Sequence, residues 1–117
     1  MEDAMKMIVA YVQPERLHYI RKALADAGVT RVSITQAMGS GSEPHYEEHY
    51  RGADIEIDLF KKTRLEIAVT DDFVQLTIDA IVKGARTESA GDGKIFVLPV
   101  LRTVRIRTLE EGGKAVG

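Results

Sequence analysis

The spacing of apolar and polar residues divides the chain into strands and helices that alternate. Met7-Ile8-Val9-Ala10-Tyr11-Val12 is a near-continuous apolar run of the kind that fills a central strand. Gln13-Pro14-Glu15-Arg16 follows, with Pro14 suited to a first helical position and Glu15 set against the helix dipole. Leu17, Ile20, Leu24 and Ala27 recur at helical spacing and predict a buried stripe. Gly28 predicts a left-handed cap behind them. Arg31 to Ala37 alternates and predicts a second strand. Ile55 to Leu59 alternates again, and Arg64 to Val69 predicts a third strand. Asp71 and Asp72 open a second helix whose predicted stripe is Val74, Ile78, Ile81 and Ala85, with Phe73 and Leu76 beside it. Lys94 to Leu98 predicts a fourth strand, ended by Pro99 as a breaker.

The order is βαβ, long loop, βαβ, which predicts an α+β, ferredoxin-like βαββαβ domain spanning residues 1–117. Two helices would cover one face of the sheet. The other face still carries Val, Ile and Leu and needs a cover, so self-association is expected. Three such sheets around one axis, a homotrimer, would close it and leave clefts between subunits. Between the halves, Gly39 to about Asp54 follows neither period. It holds Gly39-Ser40-Gly41-Ser42, Pro44 and a run dense in Tyr, His and Glu. A loop this long in a small domain is usually functional or disordered.

Composition narrows the class. A chain of 117 residues supports one modest core, and 44% apolar with 29% charged residues is that of an ordinary globular protein. The net charge of −2 gives no general pull toward nucleic acid or anionic lipid. No apolar run is long enough to span a bilayer, and Met1 to Lys6 is too acidic for a signal peptide, so a cytoplasmic address is the expectation. Cysteine is absent, which excludes disulfides and thiolate catalysis.

The candidate chemistry lies in Thr87-Glu88-Ser89-Ala90-Gly91-Asp92-Gly93-Lys94, which runs into Ile95-Phe96-Val97. Two glycines one residue apart permit backbone that a Cβ forbids, and Asp92 favours a tight turn. Successive amides in such a turn can form an anion-binding nest, with Lys94 as a mobile cation at its mouth. Arg105 and Arg107 sit two apart, so strand period would put both guanidiniums on one face and Val104 and Ile106 on the other. One ammonium, two bidentate forks and a ring of amides suit a di- or triphosphate. The pattern is neither a Walker A loop nor G-x-G-x-x-G. A lone Gly-Asp-Gly is usually only a turn; the combination with Lys94 and the Arg pair raises it to a phosphate candidate.

These residues carry a resemblance. Met5 to Leu17, Tyr50-Arg51-Gly52-Ala53, Arg64 to Val69, Gly91-Asp92-Gly93-Lys94-Ile95-Phe96-Val97 and Val104-Arg105-Ile106-Arg107-Thr108 together resemble the PII nitrogen-regulatory signal proteins, of the GlnK type that partners ammonium channels. The resemblance spans nearly the whole chain. It implies a non-enzymatic homotrimer with ATP or ADP in each cleft between subunits. It also implies a T-loop at about 39–57, a B-loop at about 87–94 and a C-terminal loop at about 105–117. By position, Thr87, Gly91, Asp92, Gly93 and Lys94 would hold phosphates from one subunit, with Arg105 and Arg107 reaching them from the neighbour. Gly39, Gly41 and Ser42 would meet the nucleotide at the T-loop base, and Ser33 and Glu66 would lie near the adenine. Lys62 matches the lysine for the carboxylates of 2-oxoglutarate. Arg51 matches the arginine inserted into the ammonium-channel pore, with Tyr46 and Tyr50 as further partner contacts. The implied readout is a membrane transporter or a regulated enzyme, with recruitment to the inner membrane by the transporter and no lipid insertion.

The departures shift the expected ligand. Glu43 stands where the family has the Gln that ligates Mg²⁺ and joins the 2-oxoglutarate site. A carboxylate still suits Mg²⁺. It would repel a dicarboxylate or a γ-phosphate at close range by several kcal/mol at an effective dielectric of about 20. ADP or AMP against ATP is therefore the expected signal, rather than 2-oxoglutarate. Glu88 and Ser89 replace the usual Gly-Lys, removing a cation and adding an anion beside the phosphates. Ile55 replaces the tyrosine uridylylated in some relatives, Ala53 the serine phosphorylated in others, and Leu109 a Gly after the Arg pair.

Three competing readings stand beside this one. His45-Tyr46-Glu47-Glu48-His49 fits the H-x-x-E-H pattern of a zinc protease. Pro44 and the preceding glycines argue against the rigid helix that chemistry needs. Metal binding by the loop is a milder version. A PII-like sensor for bicarbonate or metal uptake is kept open by Glu43, Glu88 and the His pair. A slow ATPase has no evident nucleophile or base beside the phosphate cluster.

Overall fold

The computed structural model describes residues 4–40, 48–50, 53–55 and 59–116, with the backbone alone for 48–50, 53–55 and 116. Among the described residues, six strands and three α-helices follow one another as β1 (Met5–Val12), α1 (Leu17–Asp26), β2 (Ser33–Gly39), β3 (Glu48–Tyr50), β4 (Ala53–Ile55), β5 (Phe60–Thr70), α2 (Val74–Ala85), β6 (Gly93–Val100) and the short α3 (Gly113–Val116). One antiparallel sheet has the order β2-β5-β1-β6, and β3 pairs with β4 in a separate two-stranded ribbon. The sheet is that of the split βαβ architecture expected. Each half contributes two parallel strands, and the other half's first strand lies between them. The apolar run 7–12 falls in β1, which pairs on both sides, with β5 and with β6.

Register sorts the side chains. Ile8 faces Ile67 and Ala10 faces Leu65 across β1 and β5. With Val12 and Val69 they form the floor of the core. Ile20 and Leu24 of α1 and Ile81 of α2 close it from above, all three essentially inaccessible. The stripe predicted for α1 holds, with Leu17 and Ala27 partly buried against the core. Gly28 takes the left-handed conformation, φ +83°. The opposite face carries Met7, Val9 and Tyr11 of β1, Glu66 and Ala68 of β5, and Lys94, Phe96 and Leu98 of β6. Phe96 and Leu98 are nearly half exposed there.

Several boundaries differ from the sequence reading. β2 runs Ser33–Gly39 rather than 31–37. The strand predicted at 64–69 runs 60–70, and the alternation at Ile55–Leu59 yields only the end of β4, with 56–58 outside the described residues. The loop without a stripe carries the β3–β4 ribbon, in which His49 faces Asp54 and Tyr50 faces Ala53. Pro99 does not end β6, which continues to Val100. β6 is an edge strand among the described residues, so the missing N–H of Pro99 breaks no ladder. Arg105 and Arg107 do not share a strand face. Val104 makes one isolated bridge with Glu111, residues 106–108 turn, and Ile106 is 94% exposed.

The stripe predicted for α2 holds in Ile81 and Ala85, with Val74 partly buried against the core, but it widens toward small residues. Thr77, Ala80, Ile81, Gly84 and Ala85 are buried, whereas Phe73 and Leu76 are exposed. Close helix approach selects small residues over large apolar ones here. A Cβ on Gly84 would lie 2.5 Å from the Cα of Ile20. Thr77 is tolerated in the core because its hydroxyl donates to the Phe73 carbonyl at 2.7 Å. Arg16 donates from Nε to the Gly84 carbonyl at 2.9 Å, satisfying an orphan acceptor at the end of α2.

Gly84→Ala is therefore expected to push α1 from α2 and to destabilise the fold by about 1–3 kcal/mol. Urea unfolding measures this. A stability equal to that of the unsubstituted chain, or greater, would show that the helices do not meet so closely.

Candidate functional site

The turn between α2 and β6 is built around one carboxylate. Asp92 Oδ2 accepts the amide of Thr87 at 2.6 Å and the amide of Glu88 at 2.8 Å. Its Oδ1 accepts the Thr87 hydroxyl. The Thr87 hydroxyl and then the Thr87 amide hold the Asp92 carboxyl below its ordinary value. The Asp92 amide donates to the Ser89 carbonyl at 3.2 Å, and the Gly91 amide approaches Ser89 Oγ at 3.4 Å. These amides donate within the turn. The ring of outward amides expected from the sequence is thus partly turned inward, and attraction for an anion falls more heavily on the side-chain cations.

Two backbone positions make the turn possible. Gly93 has φ +118°, and a Cβ there would lie 1.9 Å from the Tyr11 carbonyl oxygen. Only glycine fits. Glu88 also has positive φ, +68°, without being glycine. Such a residue stores strain. It forms an exposed pair with Arg86 at 3.5 Å, a contact worth little in water. A cavity of about 280 Å³ lies beside the turn, lined by Val12, Ile81, Arg86, Asp92, Gly93 and Lys94 among others.

A second chain of contacts ties this turn to the loop base. Lys62 is buried, and its ammonium donates to the Gly91 carbonyl at 3.1 Å. The Lys62 stem lies 3.8 Å from where a Cβ on Gly39 would stand. The end of β2, the candidate effector lysine and the 87–94 turn are therefore in contact. Gly41, Ser42, Glu43, His45, Tyr46 and Arg51 lie outside the described residues, as does the side chain of Tyr50. Among the described residues no cluster of His, Asp or Glu could hold a metal ion.

A third region lies on the same sheet face as Lys94, but at the other end of β1. A pocket of about 410 Å³ is lined by Met7, Arg31, Ser33, Glu66, Ala68 and Arg105, together with Val32 and Ala115. Ser33 and Glu66 face each other across β2 and β5. Glu66 pairs with Arg64 at 3.2 Å. The structure thus brings Ser33, Glu66 and Arg105 together, while Arg107 does not line the pocket. Lys94 faces Tyr11, four residues along β1 from Met7, or about 13 Å of strand. Arg31 was not foreseen as a site residue. Its spacing of two from Ser33 was the available signal.

The depressed Asp92 value sets a pH dependence. The stabilisation of the turn is present above the ordinary carboxylate range and is lost as pH falls through the lower folded value. Asp92→Asn is expected to reproduce the acid behaviour at neutral pH, with faster amide exchange at Thr87 and Glu88 and little change in global melting. Unchanged exchange at both amides would remove Asp92 as the organiser of the turn.

The family model "Nitrogen regulatory protein P-II" matches residues 5–110. Nitrogen regulatory protein P-II of Klebsiella oxytoca is 44% identical over 96% of this chain and 100% of its own length. Nitrogen regulatory protein P-II 2 of Methanothermobacter thermautotrophicus is 46% identical over 96% of this chain and 97% of its own. The crystal structure of Arabidopsis thaliana PII bound to citrate matches with a TM-score of 0.78 at 33% identity, covering 98% of this chain and 92% of that one. On these grounds the chain belongs to the nitrogen regulatory protein P-II family of signalling proteins.

Proposed function

We propose that this protein is a P-II signal transducer that binds an adenine nucleotide at the seam between copies of the chain and reports it through the 39–57 loop. The observation that carries this reading is the division of the site. Lys94 with the 87–94 turn and Arg105 with Ser33 and Glu66 occupy one sheet face, about 13 Å apart along β1. Neither group alone encloses a nucleotide. A second copy laid on that face would bring one group to the other and cover Phe96 and Leu98. A homotrimer closes the arrangement around one axis. Gly91, Asp92, Gly93 and Lys94 then hold phosphates from one copy, while Arg105 and Arg107 reach them from the next.

The loop reads the ligand through contact at its base. Gly39, Gly41 and Ser42 touch the nucleotide, and Lys62 links that base to Gly91. A ligand that contacts the base differently in two loop states shifts their populations. Arg51, Tyr46 and Tyr50 present the result to a partner, with an ammonium channel or other transporter first, and cytoplasmic protein drawn to the inner membrane by it.

Glu88, Ser89 and Glu43 set the ligand preference toward ADP or AMP, with Mg²⁺ held through Glu43 where a triphosphate binds. The Arabidopsis relative is described with citrate bound, so a carboxylate ligand is kept as an arm of the test. Lys62 is the cation that would meet it. Glu43, Glu88 and the His45–His49 pair favour a second reading, a P-II-like sensor for bicarbonate or metal uptake with altered effector binding.

Calorimetry with ATP, ADP, AMP, 2-oxoglutarate, citrate and bicarbonate separates these. The proposal expects micromolar ADP binding and weaker ATP binding. Glu88→Gly combined with Ser89→Lys should shift the preference toward ATP by about tenfold, or about 1.4 kcal/mol. An unchanged ATP-to-ADP ratio in that variant would remove the turn as the selector.

A further inference from the structure

We propose that the Arg102–Glu111 ion pair is a positioning clamp, which closes a hairpin over residues 102–112 and so presents Arg105 to the Ser33–Glu66 pocket. This inference rests on the nucleotide reading above and names residues that the sequence did not single out.

The hairpin is well connected but poorly packed. Its two arms join through the Val104–Glu111 bridge. The Arg105 amide donates to the Glu110 carbonyl at 2.8 Å, and the Gly112 amide reaches the Thr103 carbonyl at 3.3 Å. The Leu109 amide closes the tip by donating to the Arg105 carbonyl at 2.8 Å. Against this, Ile106 is 94% exposed and Leu109 73%. Almost no apolar burial holds the tip down. Leu109 also adopts φ +63°, where a side chain is strained. A short isolated hairpin without an apolar face is marginal in water.

Among the described residues, a side-chain contact spans the open end. Arg102 Nε donates to Glu111 Oε1 at 2.7 Å. Glu111 is itself the bridge partner of Val104, and Arg102 lies two residues before Val104, so the ion pair joins both arms at the open end of the hairpin. The Arg102 hydrogen bond and then its charge hold the Glu111 carboxyl below its ordinary value, in keeping with a formed pair. Arg105 leaves this hairpin to line the pocket with Ser33 and Glu66. A cation fixed before the ligand arrives costs less ordering on binding.

The test compares the unsubstituted chain with Glu111→Gln, titrated with ADP and with adenosine, alongside amide exchange. The clamp predicts faster exchange at Arg105, Leu109 and Gly112. It predicts ADP affinity reduced by about two- to fivefold, the scale of an exposed ion pair, with adenosine affinity unchanged. Arg105 acts on phosphate, so a merely structural role would weaken both ligands alike, and that outcome overturns the proposal. Unchanged exchange at the three amides also overturns it. Faster exchange in a chain whose unsubstituted form ignores every adenine nucleotide would refute the nucleotide reading while supporting the clamp.

Discussion

Strand register decides where the strand-borne charges of this molecule stand. β1 is paired on both sides, and its register with β5 and β6 sets Lys94 beside Tyr11 and Ala68 beside Met7. A slip of one residue would carry every one of these side chains through the sheet to the helix face. The core prevents that slip, because Ile8, Ala10 and Val12 would leave it together. Packing on one face therefore fixes the chemistry on the other.

The loops then adjust what register has placed. Asp92 gathers donors from Thr87 and Glu88, so the turn has a defined shape before any ligand arrives. Lys62 ties that turn to strand β5, and β5 contacts β2 where the long loop begins. A change at the 87–94 turn thus has a short mechanical route to the loop base. Two left-handed residues with side chains, Glu88 and Leu109, lie one in each of the loops that carry the cations. Both stand where the family resemblance leads one to expect glycine. Strain at such positions persists where surrounding contacts over-determine the backbone, and it clusters at functional sites.

The fold was largely legible in the sequence because its periodicities are strong. The apolar run of β1, the α1 stripe and the Gly28 cap all followed from side-chain spacing. What failed depended on distant partners. Pro99 reads as a breaker until β6 is known to be an edge. Gly84 carries no apolar signal as a core residue until α1 is known to approach within a Cβ of the α2 backbone. Arg105 and Arg107 alternate like strand residues, yet the chain beyond Val104 finds its partner in Glu111 and turns. The candidate site was legible as a set of residue types and not as a geometry. Arg31 and the Arg102–Glu111 pair were missed because each gains meaning only from residues far along the chain.

The central claim is that the phosphate-binding cations of one site come from two copies of the chain, and subunit mixing tests it most directly. Lys94→Ala and Arg105→Ala chains each lose one contribution, so each alone should bind ADP weakly. Unfolded together and refolded as mixed assemblies, they should regain tight binding, at seams where an intact Lys94 meets an intact Arg105. Mixed samples that bind no better than either variant alone would contradict the shared site.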